Sequence, residues 1–291
     1  MLENNEQSDF ITYPKTFEKY KWYKPILVFI IAFIIYLIFG VLVDAIFGMV
    51  YGEHFINSIS VGGYETLNNP VGEVYSDFIV IIMIPSLYIA SKIVRDRPFS
   101  SYVSTRGGWN YKLYFKALII PFVLIMLYSA VGLVLGGKDP NAVYHFSWLF
   151  LIVAIIFVPL QCIAEEYVFR GFFMQTFGVW FKIPVIALIL QSILFTAGHG
   201  YDFGGLIEIF VAGIIYGVLT WKTGGIEVSS ALHTANNFVI TLFSMFGIAA
   251  TSSTTDNIDA VITIVFNIVL FLIIYYVGKK TDWYGEIPQN S

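Results

Sequence analysis

Charge is something this sequence has little of. Only 12% of its 291 residues are charged, whereas 57% are apolar and 18% aromatic; a soluble domain carries about 25% charge. That is too little to cover a water-exposed globule of this size, which excludes a soluble enzyme and a disordered chain. A net charge of −4 leaves no basic face for nucleic acid. Cysteine is scarcer still. Cys162 stands alone, so neither an intramolecular disulfide nor a cysteine-rich metal site can form. With a mean hydropathy of +0.75, the chain reads as an all-α, polytopic membrane helical bundle.

A span needs about 20 mostly apolar residues. Eight segments meet or approach this: Ile26–Met49, Phe78–Ile93, Leu113–Leu135, Trp148–Val168, Ile183–Phe195, Leu206–Trp221, Ile226–Phe246 and Ala260–Val277. The fifth and sixth are short and border glycine-rich turns. The first is longer than the roughly 7–15-residue core of a cleavable signal and lacks a small-x-small site after it, so it is expected to remain as an anchor. With eight spans, every Lys and Arg except Lys138 falls on one side of the membrane. The other side holds Glu53, Glu65, Glu73, Asp139, Asp256 and Asp259. The positive-inside rule then predicts a cell-membrane protein with both termini cytoplasmic.

No internal repeat is visible. The chain divides into a polar arm (1–24), three bland spans with their loops (25–147), a polar-residue-bearing core (148–246), and a last span with its tail (247–291). The arm mixes lysine with Phe10, Tyr13, Phe17, Tyr20, Trp22 and Tyr23. Lysine and aromatic side chains both favour the lipid interface, which suffices to predict anchoring.

Ionisable residues inside spans cost roughly 2.5–3.5 kcal/mol each at mid-membrane and are seldom left without a partner or a task. The candidates are Asp44, Glu165, Glu166, Arg170, His199, Glu208 and His233. In the fourth span Glu166 and Arg170 stand four apart and can pair on one helix face. Glu165 is turned by about 100° from Glu166, so one carboxylate can be held by Arg170 while the other faces a cavity as a general base. An interfacial ion pair explains the same residues equally well. Phe195 and His199 share a face in the fifth span, with Gln191 one turn earlier. His199 alone reads more readily as an interfacial residue. His233 and Asn237, again four apart with Ser230 on the same stripe, offer two donors suited to an oxyanion. Taken alone, this pair reads better as interhelical polar glue.

In order, Glu165-Glu166-x3-Arg170, Phe195-x3-His199 and His233-x3-Asn237 resemble the three motifs of the CPBP family of intramembrane proteases. That family comprises the type II CAAX prenyl proteases and the Abi proteins of bacteriocin processing and immunity. Gly171 after Arg170 also fits, and the resemblance covers about Trp148–Phe246. It implies an intramembrane endopeptidase in which Glu165, assisted by His199, activates a water. His233 and Asn237 would stabilise the oxyanion, Glu166 and Arg170 would shape the site, and Phe195 would pack beside His199. It implies no cofactor.

A serine route lacks a G-x-S-x-G elbow. Zinc held by Glu165, His199 and His233 is a weaker alternative, since no H-E-x-x-H pair is present. The competing functions are a non-enzymatic immunity or regulatory scaffold of the same fold and a proton-linked transporter, the latter disfavoured by the missing repeat. The expected partners are membrane lipid and a membrane-anchored peptide or protein, with no nucleic acid. The Ile/Phe/Asn/Lys-rich composition suggests a low-GC bacterium, which favours a peptide or bacteriocin substrate over a prenylated one. Elsewhere, Gly213-x3-Gly217 and Gly132/Gly136 predict close helix packing, Cys162 predicts buried packing, Pro159 predicts a kink, and Pro98–Trp109 predicts an interfacial turn.

Overall fold

The computed structural model describes residues 9–52, 55, 69–249 and 257–281. All of the regular structure in them is helical. A short 3₁₀ turn, Tyr13–Thr16, precedes α1 (Lys24–Tyr51). Then come α2 (Pro70–Ile81) and α3 (Met83–Val94), two halves of one apolar rod, and α4 (Tyr111–Gly136). The rod is interrupted where Pro85 has no N–H to offer the Ile81 carbonyl. α5 (Trp148–Glu166) runs through a wide π-helical stretch, Tyr167–Met174, into α6 (Gln175–Phe181). The remaining helices are α7 (Pro184–Ala197), α8 (Phe203–Thr223), α9 (Glu227–Met245) and α10 (Asn257–Thr281).

Every one of the eight expected spans is helical. Six of them are long and apolar enough to cross a membrane by length and composition, and Pro184–Ala197 is a shorter apolar helix. The helix ends follow local chemistry. Asn110, Ser147 and Asp202 accept hydrogen bonds from the backbone N–H groups of Leu113, Phe150 and Gly205 at 3.1, 3.1 and 2.9 Å, satisfying donors that a helix start leaves free. Gly224 ends α8 with φ +68°, a conformation that glycine adopts without strain.

α9 forms the centre and packs against α4, α5 and α8; α2 lies along α5, α1 against α3, α7 against α8, and α10 against α8. α9 carries His233, Thr234, Asn236 and Asn237, and most of its residues are buried. The helix richest in polar groups is thus the one shielded from lipid, where neighbouring helices can supply partners.

Four expectations change. Glu73, assigned to an outer loop, sits in the first turn of α2, buried and hydrogen-bonded to Thr241 of α9; the helix begins eight residues before the apolar run that marks it. The arm does more than lie on lipid. Phe10 and Ile11 are buried against Met174, Ala187, Leu188 and Ile226, and Ile11 lies so close over Gly178 that a Cβ there would overlap it. Trp22 and Tyr23 keep an exposed surface. Gly132 and Gly136 have, among the described residues, nothing within 4 Å of where a Cβ would go, so they pack closely against none of these.

The 98–109 segment, finally, is docked into the bundle. Ser104 bridges Gly225, and Arg106 reaches the Thr223 carbonyl and, at 3.0 Å, Glu227, which is fully buried. Beside it Arg97 bonds Gln175 and the Gly171 carbonyl. Burial pushes the adjacent Asp96 carboxyl above the usual carboxylate range, although Arg97 and Lys24 pull it down. Elsewhere the reading holds. Gly213 and Gly217 seat α8 on Ser192, Leu188 and Gln191 of α7, Cys162 is buried, and Asp44 accepts a 2.7 Å hydrogen bond from Tyr75.

Candidate functional site

α5 presents its two adjacent carboxylates differently, as helical geometry requires. Glu166 points wholly inward, and its Oε1 accepts from Arg170 Nη1 at 2.9 Å one turn further on. The Arg170 guanidinium is itself fully buried; it reaches the Gly213 carbonyl at 3.3 Å and lies 4.4 Å from the Phe195 ring and 5.1 Å from the Tyr216 ring. Glu165 retains 8% exposure. Its Oε2 accepts from Gln161 Nε2 at 2.8 Å.

α9 brings His233 between the two. Its Nδ1 is 3.1 Å from Glu166 Oε1 and its Nε2 is 3.4 Å from Glu165 Oε2. A carboxylate can only accept, so Nδ1–H is the donor toward Glu166. Nε2 is left to face Glu165 and Asn237, whose Nδ2 is also 3.4 Å away. A proton on Nε2 would be shared with Glu165; a bare Nε2 would accept from Asn237. Tyr216 stacks on the imidazole with ring centroids 5.0 Å apart, which restricts its rotation. Asn237 Nδ2 also reaches Gln161 Oε1 at 3.3 Å, closing a ring of polar groups between α5 and α9.

His199 lies just beyond the end of α7 rather than within it, because the helix stops at Ala197 before Gly198. Its Nδ1 is 2.7 Å from the Phe195 carbonyl. A carbonyl likewise only accepts, which makes Nδ1–H the donor and leaves Nε2 as the basic nitrogen. Phe195 packs between the histidines, with centroids 4.8 Å from His199 and 5.8 Å from His233.

Glu165, Glu166, Arg170, His233 and Asn237 therefore meet directly, and Phe195 links His199 to them. Ser230 is buried on the same helix, and its Oγ has no hydrogen-bond partner among the described residues. Among the described residues no three His, Cys, Asp or Glu side chains gather as a metal-holding group.

The sequence reading missed Gln161, which bonds both Glu165 and Asn237, and Tyr216, which holds His233. Gln161 carries a usable signal, an amide four residues before Glu165 in an apolar run. Tyr216 carries none, since an aromatic residue in a span is ordinary. Glu208, on α8, has a buried Oε1 with no hydrogen-bond partner among the described residues.

Residues 145–239 match the family model described as type II CAAX prenyl endopeptidase Rce1-like. That segment is Rce1-like in sequence. The Rce1-like segment runs from the approach to α5 into α9 and contains all three motifs, so the resemblance drawn from them holds. A relative described as the uncharacterized protein YyaK of Bacillus subtilis (strain 168) is 31% identical over 191 residues, which cover 61% of this chain and 63% of YyaK. The chain thus spans less than two thirds of that relative's length. No solved structure matches.

Proposed function

We propose that the chain is an intramembrane endopeptidase that hydrolyses a peptide bond of a membrane-associated protein or peptide. The observation that supports this most is the single imidazole of His233 set between two carboxylates of unlike surroundings. Glu166 is bound to Arg170 and orients the ring; Glu165, partly accessible and held by Gln161, takes the part of the base. In the proposed reaction Glu165, assisted by His199, takes a proton from water as the water oxygen attacks the carbonyl carbon. His233 Nε2–H and Asn237 Nδ2–H donate to the oxyanion. When the carbon–nitrogen bond breaks, the amine leaves with the proton held by Glu165, and the other fragment leaves as the carboxylic acid. No cofactor is assigned to these steps.

The match to an endopeptidase family model supports the reaction class. We further take the substrate to be a peptide or bacteriocin precursor, with maturation or self-immunity as the role, on the Ile/Phe/Asn/Lys-rich composition of the chain. We further assign the lysine- and arginine-rich loops, and with them both termini, to the cytoplasm.

The test is cleavage of a membrane-anchored peptide library by the purified protein in proteoliposomes with a metal chelator present. Glu165→Gln is expected to lower cleavage by about 10²–10⁴-fold, the usual worth of a general base, with protein abundance unchanged. Cleavage retained in that variant defeats the mechanism. If Glu165, His199 and His233 variants all keep the cellular phenotype, the scaffold reading replaces it.

A further inference from the structure

The base and one oxyanion donor of the proposed reaction sit on different helices, Glu165 on α5 and Asn237 on α9. One side chain touches both. Gln161 stands one turn before Glu165 on the same face of α5, and none of the three motifs contains it. Its Nε2 donates to Glu165 Oε2 at 2.8 Å, and its Oε1 accepts from Asn237 Nδ2 at 3.3 Å.

Chemistry sets the direction of these bonds. A carboxylate only accepts, so the NH₂ end of the Gln161 amide faces Glu165 and its oxygen faces Asn237. That oxygen needs a donor, so Asn237 turns its own NH₂ end toward it. On the far side Asn237 Oδ1 accepts from Asn236 Nδ2 at 3.1 Å. Flipping Asn237 would set oxygen against oxygen at Gln161 and nitrogen against nitrogen at Asn236, losing both bonds at once. Three amides are therefore aligned head to tail from a single carboxylate. The Cys162 thiol also reaches Gln161 Oε1, at 3.3 Å, but a thiol is a weak donor and does not replace an amide. Asn237 so held spends one N–H on Gln161 and keeps a second on the side of His233, whose Nε2 is 3.4 Å from Nδ2.

We propose that Gln161 is a positioning residue that aims the oxyanion donor from the charge of the base: Glu165 fixes Gln161, and Gln161 fixes which end of the Asn237 amide meets the substrate carbonyl. This rests on the protease reading above. A flipped Asn237 would present an oxygen to the developing oxyanion, whereas a donor aimed in advance stabilises it without reorganising. The base on α5 and the donor on α9 thus work as one unit.

Two measurements on the full chain test it. Gln161→Met keeps the length of the side chain and removes the amide. It should lower kcat by about 10–100-fold at nearly constant KM, below the roughly 10²–10³-fold cost of deleting an oxyanion donor outright. In an Asn237→Ala background the same substitution should cost no more than about threefold, because Gln161 then has no donor left to aim. A side chain that merely packs α5 on α9 gives losses that multiply independently, and that result overturns the proposal. The second measurement needs no turnover. The chain has five glutamines, so isotope-labelled glutamine gives five side-chain amide signals in magnetic resonance spectra, and the one missing from Gln161→Met belongs to Gln161. It should move in both Glu165→Gln and Asn237→Ala; a signal unmoved by Asn237→Ala overturns the proposal. If wild type cleaves nothing, the protease reading has failed, and the amide signal still decides whether Gln161 joins the two helices.

Discussion

Arg170 is among the largest side chains that the bundle buries completely, and its surroundings suit a planar cation. Two of its nitrogens reach Glu166 and the Gly213 carbonyl, and two aromatic faces lie against it. A lysine keeps the charge but has neither the fork nor the flat face. Removing one partner from a buried pair costs about 3–5 kcal/mol. Arg170→Lys, which removes only the geometry, is expected to cost about 2 kcal/mol on the same scale and to lower cleavage by loosening Glu166 and hence His233. Thermal unfolding in detergent checks the first effect, and a melting temperature equal to that of wild type would refute it. The Glu166–Arg170 pair was legible in the sequence because both members sit on one helix, where a spacing of four fixes the contact. The contact of His233 with both glutamates was not. It depends on the rotation and height of α9 against α5, which no pattern within either segment encodes.

At the scale of elements, eight helical segments were readable from hydropathy because the bilayer sets their length. What was lost lies where a helix exceeds its apolar run. α2 begins at Pro70, so Glu73 looked like a loop residue. Glycines posed the opposite problem, since a helical glycine reads the same in a crowded seam as on a bare face. Gly213 and Gly217 lie in a seam, whereas Gly132 and Gly136 do not among the described residues. Gly178 is the sharpest case, because Ile11 occupies the space a side chain would need, with its own carbonyl close behind. Gly178→Val is expected to cost about 1–3 kcal/mol, the usual penalty of overpacking, and to free the arm. Limited proteolysis should then cut near Ile11 in the variant at a dose that spares wild type. Equal resistance in the two would show that the arm seats elsewhere.

For the whole molecule, the distribution of basic residues makes a prediction that packing does not. Lys182 and Lys138 should face opposite sides of the membrane. With Cys162 replaced by alanine, a cysteine at 138 should react with a membrane-impermeant thiol reagent in intact cells. A cysteine at 182 should react only after permeabilisation, and the reverse pattern would invert the proposed topology. The docked arm also bears on how the chain is made. Ile11 is translated well before its seat is complete, because that seat includes Gly178, Leu188 and Ile226. At ~5–20 residues per second, tens of seconds separate the two events. During that interval the segment has nowhere to rest but the membrane surface, for which its lysines and aromatic rings are well suited. Its seat is complete once Ile226 has been made, ahead of α10, so the segment is a latch made early and fastened late.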